Sequence, residues 1–383
     1  MTPFHNRVHF SGKIVFAIQE YPTLKIKKIM FLGLLTILGA LVLSACAGGR
    51  ASIVNTWPGL AADSEKVYLA SGSHLYAVDA KTGKEVWRYP VETDNNIIFY
   101  ANPVVTPDGQ LLIGSEGNNH ELVSIDPETG KDNWTEPFSA AKGKWVGSPL
   151  VFNDTIYAPN SDGFLYILDL QGKQAQEPIE LGGALWAAPA TDGTYLYITS
   201  LDHHLHIIDP TSAGAGKTVD LGGATPGSPV VGEGGVYVGS FSSAVEFIQP
   251  NGDHQEIAKA QEWIWGTPAL SNGILYYADL GGNLYATEVA TGSQNWDGVK
   301  PDGPVVASPL VVGDLIYFVT EEGTLLALDK DAKVALEKTV GGKLYTTPVV
   351  SGDLVVVAPY QAEFAVAAYD AEGKQAWTYT PEK

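Results

Sequence analysis

The chain has 383 residues, 45% hydrophobic and 10% aromatic, which supplies a large apolar core and excludes a disordered polymer. Its formal net charge is −20; the first 45 residues hold five bases and one acid (+4), so the remainder sums to −24. A body this acidic repels phosphate backbones, which excludes nucleic acid as a partner.

In chain order, Lys25, Lys27 and Lys28 precede an apolar run from Ile29 to Leu43. The run is too short and wrongly flanked for a stable spanning helix and reads as a secretory signal. It ends Leu43-Ser44-Ala45-Cys46, which resembles the bacterial lipobox, in which the cysteine is diacylated and the preceding peptide removed. Cys46 is the single cysteine, so no disulfide within the chain is expected and the fold stands on packing. Residues 1–45 are therefore expected to be a lipoprotein signal peptide, with translation starting near Leu24, and residues 46–56 a lipid-anchored tether.

From residue 57 onward the chain repeats. A proline recurs at Pro58, Pro103, Pro149, Pro189, Pro229, Pro268, Pro309 and Pro348, and an acid or amide follows each after 20 to 23 residues. Each unit holds short runs of Val, Ile, Leu and Tyr broken by Gly, Asp and Asn turns, the pattern of antiparallel strands and hairpins. Four strands at a period near 40, eight times over, predict an all-β, single eight-bladed propeller with four-stranded antiparallel blades over residues 57–383. The last unit counts four strands in sequence order, and how the ring closes is not legible.

The turn after the third strand of the first unit reads Ala77-Val78-Asp79-Ala80-Lys81-Thr82-Gly83-Lys84-Glu85-Val86-Trp87. It resembles the tryptophan-docking motif of pyrroloquinoline-quinone-type propeller repeats, with degenerate copies carrying Asp126, Gly130 and Trp134, then Trp296, then Trp377. The physics is structural: Asp caps the turn, Gly takes a positive φ, and the indole wedges between blades. A lipobox followed by eight such repeats resembles the BamB family of outer-membrane lipoproteins. That resemblance implies a monomeric, extracytoplasmic scaffold, anchored in the outer membrane where one exists. Such a scaffold contributes to membrane-protein assembly, or to another envelope complex, by contacts with proteins or unfolded polypeptides. The alternative is a solute- or glycan-binding sensory propeller.

Quinoprotein dehydrogenases share the eight-bladed architecture, and many hold their quinone over a vicinal disulfide, which one cysteine cannot form. Their calcium- and quinone-gripping Glu, Asn and Asp find no match here, so no enzyme activity, catalytic residue, cofactor or metal is expected. His203, His204 and His206, with Asp202, form the one histidine cluster; it reads as a polar turn entering a strand rather than half a metal site.

The candidate binding rim lies ahead of the inner strands. Tyr100, Trp186, Trp265 and Tyr345 stand three residues before their repeat prolines, Trp145 four before and Trp263 five before. These positions are expected to ring one mouth of the axial channel and to suit an extended peptide, a glycan or a partner loop. Sealing of blade against blade is the other reading of the same residues. Of the longer connections Glu92–Tyr100, Gly114–Glu121 and Thr135–Lys144, two lead into Tyr100 and Trp145 and support the same mouth, with neutral drift as the other reading.

Overall fold

The structure, a computed structural model, describes residues 57–382 apart from Ala213, Ala215 and Asp297. The expected signal peptide, Cys46 and the tether lie outside the described residues. From Trp57 the chain forms eight consecutive antiparallel sheets, the blades of a propeller. Blade 1 comprises Gly59–Ala62, Lys66–Ser71, His74–Asp79 and Glu85–Tyr89, and blade 8 comprises Val349–Ser351, Leu354–Val357, Val366–Tyr369 and Gln375–Tyr379. Each sheet runs in sequence order from its innermost to its outermost strand, as hairpin connections require.

Burial follows position in the blade. The second and third strands, such as Val67–Ala70 and Leu75–Val78, are buried on both faces because each blade is sandwiched between two others. Fourth strands such as Gln174–Glu180 face water on most of their length and are correspondingly polar. The core is a series of seams: one seam joins Leu60, Val67, Tyr76 and Val78 of blade 1 to Val356, Val366 and Trp377 of blade 8.

Two blades depart from the four-stranded expectation. Among the described residues, blade 2 (Val104–Val105, Leu111–Gly114, Leu122–Ile125) and blade 6 (Ala269–Ser271, Ile274–Ala278, Leu284–Glu288) have three regular strands each. Their fourth positions shrink to isolated bridges, Ile125 with Asp132, Leu122 with Phe138, and Thr287 with Gln294. Pro137 in blade 2 lacks the N–H a ladder needs, and Asn295 and Gly298 in blade 6 are poor strand formers.

The first and last blades each keep their own consecutive strands, so side chains close the ring. The Trp377 indole N–H donates to Ala80 O at 2.8 Å, and the Ser351 hydroxyl donates to Asp63 O at 2.7 Å. Thr346 Oγ1 donates to Pro58 O, and the Tyr379 hydroxyl to Glu85. The inner strand Gly59–Ala62 lies against both Val104–Val105 and Val349–Ser351, completing the circle around the axis.

Candidate functional site

The outer turns account for four of the nine tryptophans. The Asp79 carboxylate accepts from Thr82 N–H at 2.8 Å and from the Thr82 hydroxyl at 2.6 Å, and those bonds hold its pKa below the usual range. Asp126 is lowered in the same way by the backbone N–H of Glu128, 2.7 Å away. The turn closes at Gly83, φ +69°, and the Trp377 side chain of the preceding blade packs against it so closely that a Cβ there would clash. Trp87 sits likewise on Gly130 and Trp134 on Gly172, with indole N–H bonds to Pro127 O at 3.0 Å and Leu170 O at 2.9 Å. Trp296 donates to Lys330 O at 3.0 Å. In blade 7, which lacks the tryptophan, Leu336 covers Gly373 instead.

At the axis, the segment leading into each inner strand is extended, so successive side chains alternate faces. In blades 2 to 8 the fourth residue before the repeat proline is buried in a seam: Phe99, Trp145, Leu185, Thr225, Ile264, Val305 and Leu344. The third, on the opposite face, is Tyr100, Val146, Trp186, Pro226, Trp265, Val306 or Tyr345, and these side chains surround the channel mouth. The next position must be small where blades converge; a Cβ on Gly266 would stand 2.8 Å from Ala307 O. The residue just before the proline lines the channel below the mouth with Asn102, Ser148, Ala188, Ser228, Thr267, Ser308 and Thr347. Part of that belt is tied blade to blade: Ser228 N–H to Thr267 Oγ1 at 2.8 Å, Thr267 N–H to Ser308 Oγ at 2.9 Å, and Ser308 N–H to Thr347 Oγ1 at 3.0 Å.

The rim is rigid. In blades 2 to 8 the carbonyl five residues before the proline accepts a backbone N–H from the tip of that blade's own second hairpin. Examples are Glu116 to Ile98 at 2.8 Å, Phe241 to Ala224 at 2.9 Å, Leu280 to Trp263 at 2.9 Å and Tyr360 to Lys343 at 2.7 Å. Such clamps fix the backbone that carries the rings.

Of the sequence-derived rim residues, Tyr100, Trp186, Trp265 and Tyr345 meet at the mouth, enclosing a cavity of about 210 Å³. Trp186 and Trp265 lie 6.5 Å apart. Trp263 stands on the same face two residues before Trp265, is 52% exposed and stacks on Phe241 at 4.8 Å. Trp145 is placed elsewhere: one residue out of phase, it points into the seam of blades 2 and 3 against Phe138 and Tyr166. Sequence reasoning missed Trp57, Phe241 and Tyr360. Trp57 immediately precedes the first repeat proline, and the other two are aromatics at hairpin tips whose equivalents are Glu116, Ser161, Leu201, Leu280 and Glu321.

Trp57 is the centre of the cluster. It stacks on Tyr100 at 5.6 Å, lies 4.7 Å from Tyr345 and meets Trp265 edge-on at 6.3 Å. A carboxylate accompanies each tyrosine. Burial, with Glu116 nearby, raises the Tyr100 phenol well above its usual range. Tyr345 is raised first by burial and then by donating to Glu321 Oε1 at 2.8 Å. Lys144 pairs with Glu116 at 3.2 Å and Lys343 with Glu321 at 2.6 Å.

Among the described residues no charged side chain lines the axial cavity. A quinone's carboxylates and a calcium ion would find neither guanidinium nor carboxylate there, so these residues do not fit that pair. Among the described residues no cluster of three or more His, Cys, Asp and Glu is placed to hold a metal ion. His204 Nδ1 pairs with Asp202 at 3.2 Å, while His206 is buried and held below its usual pKa, chiefly by desolvation.

The sequence profile described as outer membrane protein assembly factor BamB matches residues 71–298, 248–335 and 300–383. The chain belongs to the BamB family. Individual relatives are distant. The BamB of Salmonella typhimurium is 37% identical over 93 residues, 24% of this chain and 23% of that one. The BamB of Nitrosomonas eutropha is 29% identical over 113 residues, 29% of this chain and 27% of that one. The matched stretches thus span about a quarter of these curated relatives. The crystal structure of BamB from Moraxella catarrhalis superposes with a TM-score of 0.64 at 16% identity, covering 82% of this chain and 93% of that one. The computationally designed Ika8 protein superposes at 0.68 with 11% identity, covering 83% and 98%. At those identities the likeness is one of fold.

Proposed function

We propose that the protein is a lipid-anchored, extracytoplasmic scaffold that contributes to membrane-protein assembly. In this reading it works by protein–protein contacts at the aromatic mouth, without catalysis or cofactor. The observation that carries the reading is the clamped rim, where Tyr100, Trp186, Trp265 and Tyr345 converge on the axis and Trp263 is left outward-facing. Aromatic rings on a rigid frame give large contact area at low entropic cost, the hallmark of protein hot spots. Family membership supports the assembly role. Diacylation of Cys46 would bring this acidic body to a membrane it does not otherwise favour.

Two measurements test the proposal. Mass spectrometry of the mature protein should find an N-terminal, acylated Cys46. The tagged full chain, recovered from its own envelope, should bring down a barrel-assembly component, and the Trp186→Ala/Trp265→Ala variant should lose it while staying folded. Recovery undiminished in the double variant would reject the mouth as the contact surface. Calorimetric binding of a sugar without any protein partner would favour the solute-binding alternative.

A further inference from the structure

We propose that the mouth is a receptor for an aromatic side chain on an extended polypeptide, and that Trp57 is the chain's own exchangeable occupant of it. The proposal deepens the scaffold reading and rests on the mouth being the working surface.

Trp57 holds the position just before its repeat proline, where the other seven blades place Asn, Ser, Ala or Thr. Seven small residues show that ring closure does not require bulk there. The indole instead reaches across the axis into a box whose walls come from three other blades: Tyr100 of blade 2, Tyr345 of blade 8 and Trp265 of blade 6. It meets one wall stacked, one tilted and one edge-on, the geometries aromatic pairs prefer. The box therefore recognises a ring, and the Trp57-Pro58 segment displays how an extended chain presents one.

The occupant is also able to leave. The first inner strand begins at Gly59, so Trp57 lies outside the hydrogen-bonded ladder. The bonds that fix this end of the sheet, Leu60 N–H to Asn102 Oδ1 at 3.0 Å and Thr346 Oγ1 to Pro58 O, involve later residues. Rotation of one side chain would vacate the box without opening the sheet. Below it, Ser228, Thr267, Ser308 and Thr347 line the channel; the hydroxyls of the last three already accept a neighbouring blade's N–H, and each keeps an O–H that can donate to a polypeptide carbonyl. Beside it, Trp265 contacts Phe241 at 5.6 Å, so the aromatic surface continues outward to Trp263. An internal occupant lowers apparent affinity by the fraction of time that it fills the site.

The test uses the full chain in detergent and two synthetic probes, acetyl-Ser-Thr-Trp-Ser-Thr-amide and its Trp→Ala counterpart. Trp57→Ala should bind the tryptophan peptide about tenfold or more tighter than the unaltered chain, as expected when an internal competitor is removed. The alanine peptide should not bind, and adding Trp265→Ala should abolish the gain. Equal affinity with and without Trp57, or equal binding of both peptides, would overturn the proposal. Should Trp57→Ala fail to fold, 5-fluorotryptophan labelling supplies the second readout, with the Trp57 resonance assigned through Trp57→Phe. Saturating peptide should shift that resonance, and movement of Trp263 alone would overturn the exchange. Peptide exchange without any envelope partner would leave the receptor intact and remove the scaffold reading. Partner capture with unchanged peptide affinity in Trp57→Ala would do the reverse.

Discussion

The tryptophans of the outer turns and those of the axial mouth are the same side chain under opposite constraints. Trp87, Trp134, Trp296 and Trp377 each give their N–H to a carbonyl of the neighbouring blade, and three of them pack against a turn glycine of that blade. Trp57, Trp186, Trp263 and Trp265 touch one another or other rings, and all keep part of their surface open to water. The outer set spends most of its surface on holding blades together, Trp134, Trp296 and Trp377 being buried and Trp87 half-buried. The mouth set leaves surface available to something else, and under the proposed function that division separates architecture from recognition in a molecule built of near-equal units.

The comparison is broken most severely by removing an outer indole. Trp377→Ala, at the closing seam of blades 8 and 1, should cost about 3–5 kcal/mol in chemical denaturation, as large aromatic truncations in cores do. Trp145→Ala should cost a similar amount, about 3–5 kcal/mol, despite its sequence position among mouth residues, because its ring is 1% exposed. Gly130→Ala puts a methyl 2.6 Å from the Trp87 ring at φ +68° and should cost roughly 1–3 kcal/mol by overpacking and strain. Trp263→Ala should change stability by about 0.5 kcal/mol or less, as exposed substitutions do, while weakening partner capture. A large loss of stability there would merge the two sets.

The smallest effect is one of pH. The depressed His206 pKa means that the unfolded chain takes up a proton more readily than the folded one. Stability from this residue is thus full above its ordinary value near 6.5 and declines as pH falls below it. Asp79 and Asp126 have lowered values and lose their contribution only under more acid conditions, below the usual carboxylate range. A modest drop in Tm from pH 7.5 to 5 should accompany the unaltered chain and be reduced in His206→Gln.

Much of the fold was legible because proline and turn chemistry recur with the blade. The spacing of Pro58 through Pro348 counts the blades, and Asp79-Lys81-Thr82-Gly83 spells a turn whose bonds the structure displays. The third residue before each proline marked four mouth aromatics because an extended segment obeys a period of two. The same rule places Trp145 on the other face, a distinction visible only once the parity of the position is considered. Trp57 escaped because a tryptophan next to a proline carries no periodic signal of its own. What it touches comes from blades 2, 6 and 8, and such long-range company is written in closure of the ring rather than in any local pattern. Blades 2 and 6 lost their fourth strands to local chemistry that the repeat count overrode.

The most direct test compares two side chains of nearly equal exposure, Trp263 at 52% on the mouth and Val86 at 48% on the outer strand of blade 1. A photocrosslinking amino acid placed at each position in turn, and activated in intact cells, reads which surface meets a partner. A discrete protein adduct from position 263 and none from position 86 is the predicted result. Adducts from position 86 alone, or in equal yield from both, would contradict the assignment of recognition to the mouth.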